Sequence, residues 1–422
     1  MTTERLKVLL LSPMAPSPPR YGAQARTHGL LSNLARHHEI TAIILHDEDC
    51  EPQTSGAAMS SYCKQVHFIR NPHGAFGWRR RVLQLRSWFS RSSYERLHSI
   101  VPELQSLLDE VLRGQRFDVV FVNLPHLAHY RLRQSSPGAP SPVIIIDSHD
   151  VHYDLAHQIT KSTVSFGRRL HARLNWRKVK REELAVYANA DCVCVCSVAD
   201  QHRLAKDVPS ARTLVIPNAA DIENMQPRPS DPAPDADTVL FFGLLSTVPN
   251  VDGLRYFVQK IWPRVLVIRP GTQFIVVGGN AAPALRALES TGMKLVGPVD
   301  DLRPYLARAA VVVVPLRLGS GTRLKILESW AMARPVVSTS LGAEGLQSVA
   351  GQHLLIADDP DEFAAAVVRV LNEPELAMRL GAAGRALVSE SFSWRGAAET
   401  LSAFFRQAAA YRGGSADKDR AS

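Results

Sequence analysis

The sequence lacks what a membrane-spanning, secreted or nucleic-acid-binding protein would carry. No apolar run approaches the roughly 20 residues that cross a bilayer, which argues against a helical membrane protein. The N-terminus passes from Glu4 into LKVLLLSP at 6–13, too short a core for a secretory signal with its cleavage site. Cysteine is scarce, five in all, and three of them alternate in CVCVC at 192–196. Side chains two apart on a strand share a face, so Cys192, Cys194 and Cys196 cannot close around a metal. They read as small buried residues of a reducing compartment. No other spacing demands a metal. The net charge of +9 suits an anionic partner, yet no nucleic-acid-binding module is present.

What is present is the composition of an ordinary soluble enzyme. A chain of 422 residues, 45% hydrophobic and 21% charged, is long enough for two or more domains, each with its own core. Strand-like runs alternate with helix-length segments, as in a parallel α/β sheet. The first half offers LKVLLLSP, EITAIIL, VHFI, DVVFVNL, VIIIDSHD, DCVCVCS and TLVIPN. The Pro- and Asp-rich stretch MQPRPSDPAPDAD at 225–237 then interrupts the pattern and reads as a linker. VLFFG, QFIVVGG, KLVG, VVVVP, PVVST and HLLIAD follow. Two doubly wound domains are expected, with a cleft between the carboxyl ends of their sheets.

The most specific segment is PLRLGSGTRLKILESWAMARPVVST at 315–339. VVVVP has the content of a strand buried on both faces. Gly319, Ser320, Gly321 and Thr322 form a loop with a capping hydroxyl ahead of a helix. The unpaired N–H groups and dipole of a helix start make an anion site, to which Arg323 and Lys325 add charge. Glu328 shares a stripe with Leu324, Leu327 and Ala331, where a carboxylate is costly unless something hydrogen-bonds it. Phosphate at the loop and hydroxyls at the glutamate would together suit a nucleotide diphosphate sugar. The competing reading is a well-capped helix of an ordinary α/β protein, buried all round because Ile326 and Trp330 lie on its other side.

This segment resembles the donor-binding signature of family 4 glycosyltransferases, in the branch carrying GSGTRLKILE. The resemblance spans about residues 5 to 411. It is dense in the second half, at FFGLLSTVPNVDGL (241–254), IVVGG (275–279), GPVDDL (297–302) and GAEGL (342–346). It is thin in the first, at Gly22 with Arg26, DSHD (147–150), ANAD ending at Asp191 and IPNAAD ending at Asp221. It implies the GT-B fold, two doubly wound Rossmann-like domains facing across a cleft. The expected layout is an acceptor-side domain over 1–222, a linker over 223–237, and a nucleotide-sugar domain over 238–390. A closing helix over 391–411 returns to the first domain, and a disordered tail occupies 412–422. Donor contacts are implied at Gly22, Gly243, Ser320, Gly321, Thr322 and Glu328, and catalytic roles at His149, Arg323 and Lys325. Taken alone, Gly22 reads equally as a turn glycine with an unusual backbone angle.

The sequence departs from the wider family twice. Many relatives carry an acidic residue where Ser320 stands, and an arginine and a lysine in the loop that here reads GLLSTVPN. Arg323 and Lys325 are the nearest candidates to supply that charge. His149, at a strand end, competes with a structural reading, and Asp147 or Asp150 can orient its ring or touch an acceptor.

The implied reaction is retaining transfer of a sugar from a nucleoside diphosphate to an acceptor hydroxyl, without metal or other cofactor. The setting is surface polysaccharide or glycolipid assembly. Two alternatives remain open, a sugar-nucleotide 2-epimerase of the same fold and a non-catalytic sugar-nucleotide binder. FGWRRRVLQLRSWFSR at 76–91 places Trp78, Val82, Leu85 and Phe89 at helical spacing among five arginines, and RRLHARLNWRKVKR at 168–181 is similarly basic. Such helices can dock a cytoplasmic enzyme on an anionic membrane face; they can equally be solvated helices over a core.

Overall fold

The computed structural model describes residues 5–48, 50–74, 77–133, 141–162, 166–281, 283–289 and 292–418. The chain divides into two compact units. One comprises the chain up to Lys161, Phe166–Pro217 and the residues from Arg395 onward; Asn218–Trp394 forms the body of the other.

In the first unit the seven strands are β1 (Lys7–Ser12), β2 (Glu39–His46), β3 (Gln65–Arg70), β4 (Val119–Asn123), β5 (Val143–Asp147), β6 (Cys192–Val195) and β7 (Thr213–Val215). They pair in parallel in the order β3-β2-β1-β4-β5-β6-β7. The order reverses between β1 and β4. β4 and β5 are buried throughout and β1 from Val8 onward, which explains why they read as continuous apolar runs rather than alternating ones. Cys192, Cys194 and Cys196 are buried, and burial pushes the Cys196 thiol up to about 12, so they behave as core residues. Helix α1 (Gly22–Leu34) follows β1.

Two basic helices lie further on, α2 (Gly77–Phe89) and α3 (Phe166–Asn189). α2 turns Leu83 and Ser87 inward. The Trp88 indole donates to His171 Nδ1 at 3.0 Å, and Lys178 Nζ donates to the Ser87 carbonyl at 2.5 Å. The expected stripe therefore faces solvent: Trp78 is 70% exposed and Phe89 91%, with Val82 and Leu85 also exposed. Phe76, at the start of the expected segment, lies outside the described residues.

The second unit contains β8 (Asp235–Phe242), β9 (Gln273–Val277), β10 (Met293–Gly297), β11 (Ala309–Val314), β12 (Val336–Ser338) and β13 (Leu355–Ile356). Their order is β10-β9-β8-β11-β12-β13, again all parallel, with the reversal between β8 and β11. α4 (Val248–Tyr256) follows β8, and α5 (Leu324–Ala331) follows β11. Gly253 lets α4 press against the chain leaving β11, since a Cβ there would lie 2.9 Å from the Pro315 carbonyl oxygen. Trp262 and Trp330 are each almost fully buried on this unit's two core clusters.

Three boundaries differ from expectation. The stretch expected as a linker, 223–237, belongs to the second unit. Ile222 and Met225 pack on its core, and Arg303 donates to the Asn224 carbonyl at 3.4 Å. Within 223–237, Met225, Asp231 and Asp237 are partly buried and the other residues are exposed. The closing helix runs Trp394–Lys418 and groups with the first unit, where Phe405 meets Phe121 at 5.8 Å between ring centroids. It continues through 412–418, expected as an unpacked tail, because a helix already anchored by Leu401 and Phe405 extends at one bond per residue fixed. Residues 419–422 lie outside the described residues.

A buried ion pair ties the first unit together. Arg26, on α1, meets both carboxylate oxygens of Asp147, at the end of β5, at 2.7 to 3.2 Å. Its remaining arm donates to the Ile216 carbonyl at 3.0 Å. Each side chain is 1% exposed. Burial alone would raise the Asp147 carboxyl, but Arg26 and then His149 hold it well below the usual carboxylate range. Removing one partner strands the other charge, so Asp147→Ala should lower unfolding free energy by about 3–5 kcal/mol. The double change Arg26→Met with Asp147→Leu should recover most of that loss. Because the folded-state value is depressed, the pair's contribution is present above the ordinary carboxylate range and disappears as pH falls below it. Urea denaturation of the three proteins at neutral and acid pH checks both statements.

Candidate functional site

Open parallel sheets bind ligands outside the carboxyl ends of the strands where strand order reverses. In the second unit that point lies between β8 and β11, and Gly243, Ser320, Gly321, Thr322 and Glu328 of the expected donor residues follow those strands, whereas Gly22 lies in the first unit. Gly243, directly after β8, has φ 143°, a conformation that favours glycine. Lys325 extends from the first turn of α5 toward it. Its Nζ lies 3.4 Å from where a Gly243 Cβ would stand, 2.8 Å from Asn250 Oδ1 and 4.2 Å from the centroid of the Phe241 ring. Burial and then Arg323 lower the Lys325 ammonium to about 7, while Glu328 opposes.

The glycine loop is built differently from the sequence reading in two respects. The N-cap position belongs to Arg323 rather than Thr322, and no side chain caps α5. The Thr322 hydroxyl is instead buried without a hydrogen-bond partner among the described residues, while its carbonyl accepts from Asn218 Nδ2 at 3.0 Å. Arg323 folds back, donating to the carbonyls of Ser320 and, at 2.8 Å, Gly321. That fold requires Gly319, where a Cβ would stand 2.7 Å from Arg323 Nη2. Part of the guanidinium thus shapes the loop, and Lys325 is the cation delivered to the β8 end. Ser320 is buried in the same loop.

Ile326, Leu327, Trp330 and Ala331 are buried, so α5 is enclosed on more than one side, as its competing sequence reading held. Enclosure does not absorb Glu328. Its carboxylate makes no hydrogen bond among the described residues, and burial pushes it up to about 7 against the pull of Lys325. A half-buried carboxylate left without a donor is costly to the free protein and ready for ligand hydroxyls.

In the first unit the reversal point lies between β1 and β4. Gly22 opens α1 in ordinary helical backbone and is not among the positive-φ glycines, which removes the turn-glycine reading. His149 is 10% exposed, and its Nε2 stands 3.2 Å from Asp147 Oδ2. Asp147 therefore faces the imidazole with one oxygen while Arg26 grips both. Ser148 donates to the Asp150 carbonyl at 2.8 Å, which rigidifies the turn around the histidine.

Several polar groups near these strand ends gave no signal in the sequence. Asn123 donates to Ser12 Oγ at 3.1 Å and Thr27 Oγ1 at 2.7 Å, joining β4, β1 and α1. Leu124 follows with φ 71°, a strained value for a side chain of its kind. Just past β5, His152 Nε2 lies 3.6 Å from Glu95 Oε1. Burial opposes the His152 charge, but Glu95 and Glu183 hold it up to about 10.

A carboxyl that holds its proton more tightly when folded lowers stability as pH rises from its ordinary value toward its folded one. For Glu328 that window runs from 4.5 to about 7. Ligand-free Glu328→Gln should therefore gain stability over the parent protein as pH rises through the window, and hold that gain above it. Urea midpoints at its two ends provide the check.

Residues 236–373 match the family model described as "Glycosyl transferases group 1". Among curated proteins, the chain is 22% identical to an "Uncharacterized 44.6 kDa protein in cps region" of Klebsiella pneumoniae, over 86% of this chain and 90% of that one. It is 27% identical to the GDP-mannose-dependent monoacylated alpha-(1-6)-phosphatidylinositol monomannoside mannosyltransferase of Corynebacterium glutamicum, over 44% of this chain and 54% of that one. Among solved structures, sucrose-phosphate synthase from Thermosynechococcus elongatus superposes with a TM-score of 0.70 at 20% identity, covering 96% of this chain and 99% of that one. Anabaena Alr3699/HepE in complex with UDP-glucose gives 0.64 at 16%, covering 94% and 100%. With two all-parallel α/β units and a matching group 1 domain in the second, the chain is a glycosyltransferase of the GT-B fold.

Proposed function

We propose that the chain transfers a sugar, with retention of anomeric configuration, from a nucleoside diphosphate sugar to an acceptor hydroxyl in surface polysaccharide or glycolipid assembly. The observation carrying this reading is the pairing at α5 of a deliverable ammonium, Lys325, with an unsatisfied carboxylate, Glu328, one turn apart at a strand-order reversal. One solved protein of the same fold, Anabaena Alr3699/HepE, is in complex with UDP-glucose, and a sequence relative is named for its dependence on GDP-mannose, which supports a diphosphate sugar as donor. Departure of the nucleoside diphosphate builds negative charge on the leaving oxygens. Lys325 and the N–H groups opening α5 stabilise that charge, and preorganised donors of this kind act most strongly on groups that become charged in the transition state. Glu328 accepts from the ribose hydroxyls. Gly243, Ser320, Gly321 and Thr322 contribute backbone to donor binding, and Arg323 holds the loop in place.

His149 serves turnover rather than donor affinity, with the Asp147 carboxylate 3.2 Å from its Nε2. In a transfer assay scanning nucleoside diphosphate sugars, Lys325→Ala should weaken donor binding by roughly 1.5–3 kcal/mol, the scale of a charge-assisted hydrogen bond. His149→Ala should lose turnover while keeping nucleotide affinity. Unchanged affinity in the first variant, or full turnover in the second, would remove those residues from the site.

The protein docks reversibly on an anionic membrane face through α2. Trp78, Val82, Leu85 and Phe89 are exposed on a helix held from behind by other residues, which is the arrangement of an interfacial helix. Each arginine near such a surface contributes about 1 kcal/mol. Replacing Arg79, Arg81 and Arg86 by glutamate should release the protein from anionic vesicles, and added salt should do the same. Trp78→Ala should weaken vesicle binding without changing the urea midpoint. Sedimentation with neutral and anionic vesicles reads the result; equal recovery in every supernatant removes the membrane claim alone.

A further inference from the structure

The loop after β8 carries no cation, and Lys325 reaches it from another strand's helix. An ammonium on a four-carbon stem is an imprecise device unless something holds it. The structure supplies that hold from α4, and we propose that Asn250 is a positioning residue for donor binding, aiming the Lys325 ammonium at the diphosphate beside Gly243.

Three sets of contacts carry the assignment. First, the Asn250 amide is itself oriented, because Nδ2 donates to the Leu244 carbonyl at 2.9 Å and so turns Oδ1 toward Lys325 Nζ at 2.8 Å. Second, the Phe241 ring flanks the same ammonium at 4.2 Å, a cation–π contact that confines it without consuming a donor. An ammonium has three donors. Among the described residues Nζ makes no hydrogen bond other than that to Asn250, which leaves donors for phosphate oxygens. Third, α4 does not drift. Arg317, just after β11, grips Asp252 through two bonds of 2.8 and 3.1 Å and lies 4.4 Å from the Tyr256 ring centroid. The Tyr256 hydroxyl donates to the Asp358 carbonyl at 2.9 Å.

Asn250 suits this task because it is neutral. A carboxylate at the same position would hold the ammonium equally well but cancel the charge the diphosphate needs. The charged groups acting on Lys325 are Arg323 and Glu328 on either side along the chain. From β8 and α4 the residues touching it are Phe241 and Asn250, both uncharged, and Asp252 further along α4 is engaged by Arg317. With burial already holding the ammonium to about 7, its charged fraction at neutral pH responds to small changes in its surroundings.

The inference rests on the donor reading above, and one titration series separates the two. UDP-glucose and GDP-mannose are titrated calorimetrically across neutral pH into the full chain and into Asn250→Ala, Asn250→Asp and Lys325→Met. In the parent protein, donor affinity should fall as pH rises through the Lys325 transition. Asn250→Ala should bind on the order of tenfold more weakly at neutral pH. Its decline should begin at lower pH, because the charged form has lost its acceptor. Asn250→Asp should move the decline to higher pH while binding more weakly than the parent below it. Removal of side-chain packing alone does not move that midpoint in opposite directions. If Lys325→Met abolishes the decline but both Asn250 variants keep the parent's midpoint, Asn250 is a packing residue and the inference is overturned. Binding of neither sugar nucleotide by the parent protein, or parent-like pH dependence in Lys325→Met, overturns the donor reading and this inference with it.

Discussion

Both units depend on the all-parallel pairing of their sheets. Parallel strands deliver every carboxyl end to one edge, and helices covering both faces leave that edge as the place where polar side chains can gather. The reversal of strand order parts the flanking helices there. In the second unit this sets the loop at Gly243 beside the α5 residue Lys325; in the first it sets α1 beside the β4 and β5 ends, where Asp147 and His149 stand. The buried valines and isoleucines of β4, β5 and β11 are thus part of the site's construction, since they fix the height at which each loop begins.

The two edges treat buried charge in opposite ways. Arg26 and Asp147 are fully enclosed and satisfy one another with several hydrogen bonds, so that pair is structural and holds α1, β5 and the chain after β7 in register. Lys325 and Glu328 are undercompensated. The lysine is pressed toward its neutral form and the glutamate toward its protonated one, each by burial, with no hydrogen bond between them to relieve it. A free protein bears that cost where ligand groups later supply what is missing, which is the usual trade between stability and activity.

Much of this was legible in the sequence. All thirteen strands overlap apolar runs picked out in the sequence, although β8 begins inside the stretch expected as a linker, and the glycine loop with its following helix stood out by composition alone. What escaped was long-range pairing of polar residues. Arg26 and Asp147 are 121 positions apart, and Asn250 meets Lys325 across 75. No local pattern encodes such contacts, because an asparagine opening a helix or an arginine within one is unremarkable until the sheet brings its partner alongside. Thr322 misled for the converse reason: a hydroxyl before a helix suggests a cap, but the Arg323 fold-back placed the helix start one residue later. The exposed stripe of α2 was readable as amphipathic; which way it faced depended on Trp88 and Lys178 pinning the other side.

The central claim is that the β8 and β11 ends of the second unit hold a nucleoside diphosphate through Lys325 and Glu328. A crystal structure of the full chain with a bound nucleoside diphosphate sugar tests it most directly. Phosphate oxygens should lie within hydrogen-bond reach of Lys325 Nζ, with Asn250 still its partner, and ribose hydroxyls should donate to the Glu328 carboxylate. A nucleotide bound with its diphosphate away from Lys325, leaving Glu328 without a hydroxyl partner, would contradict it.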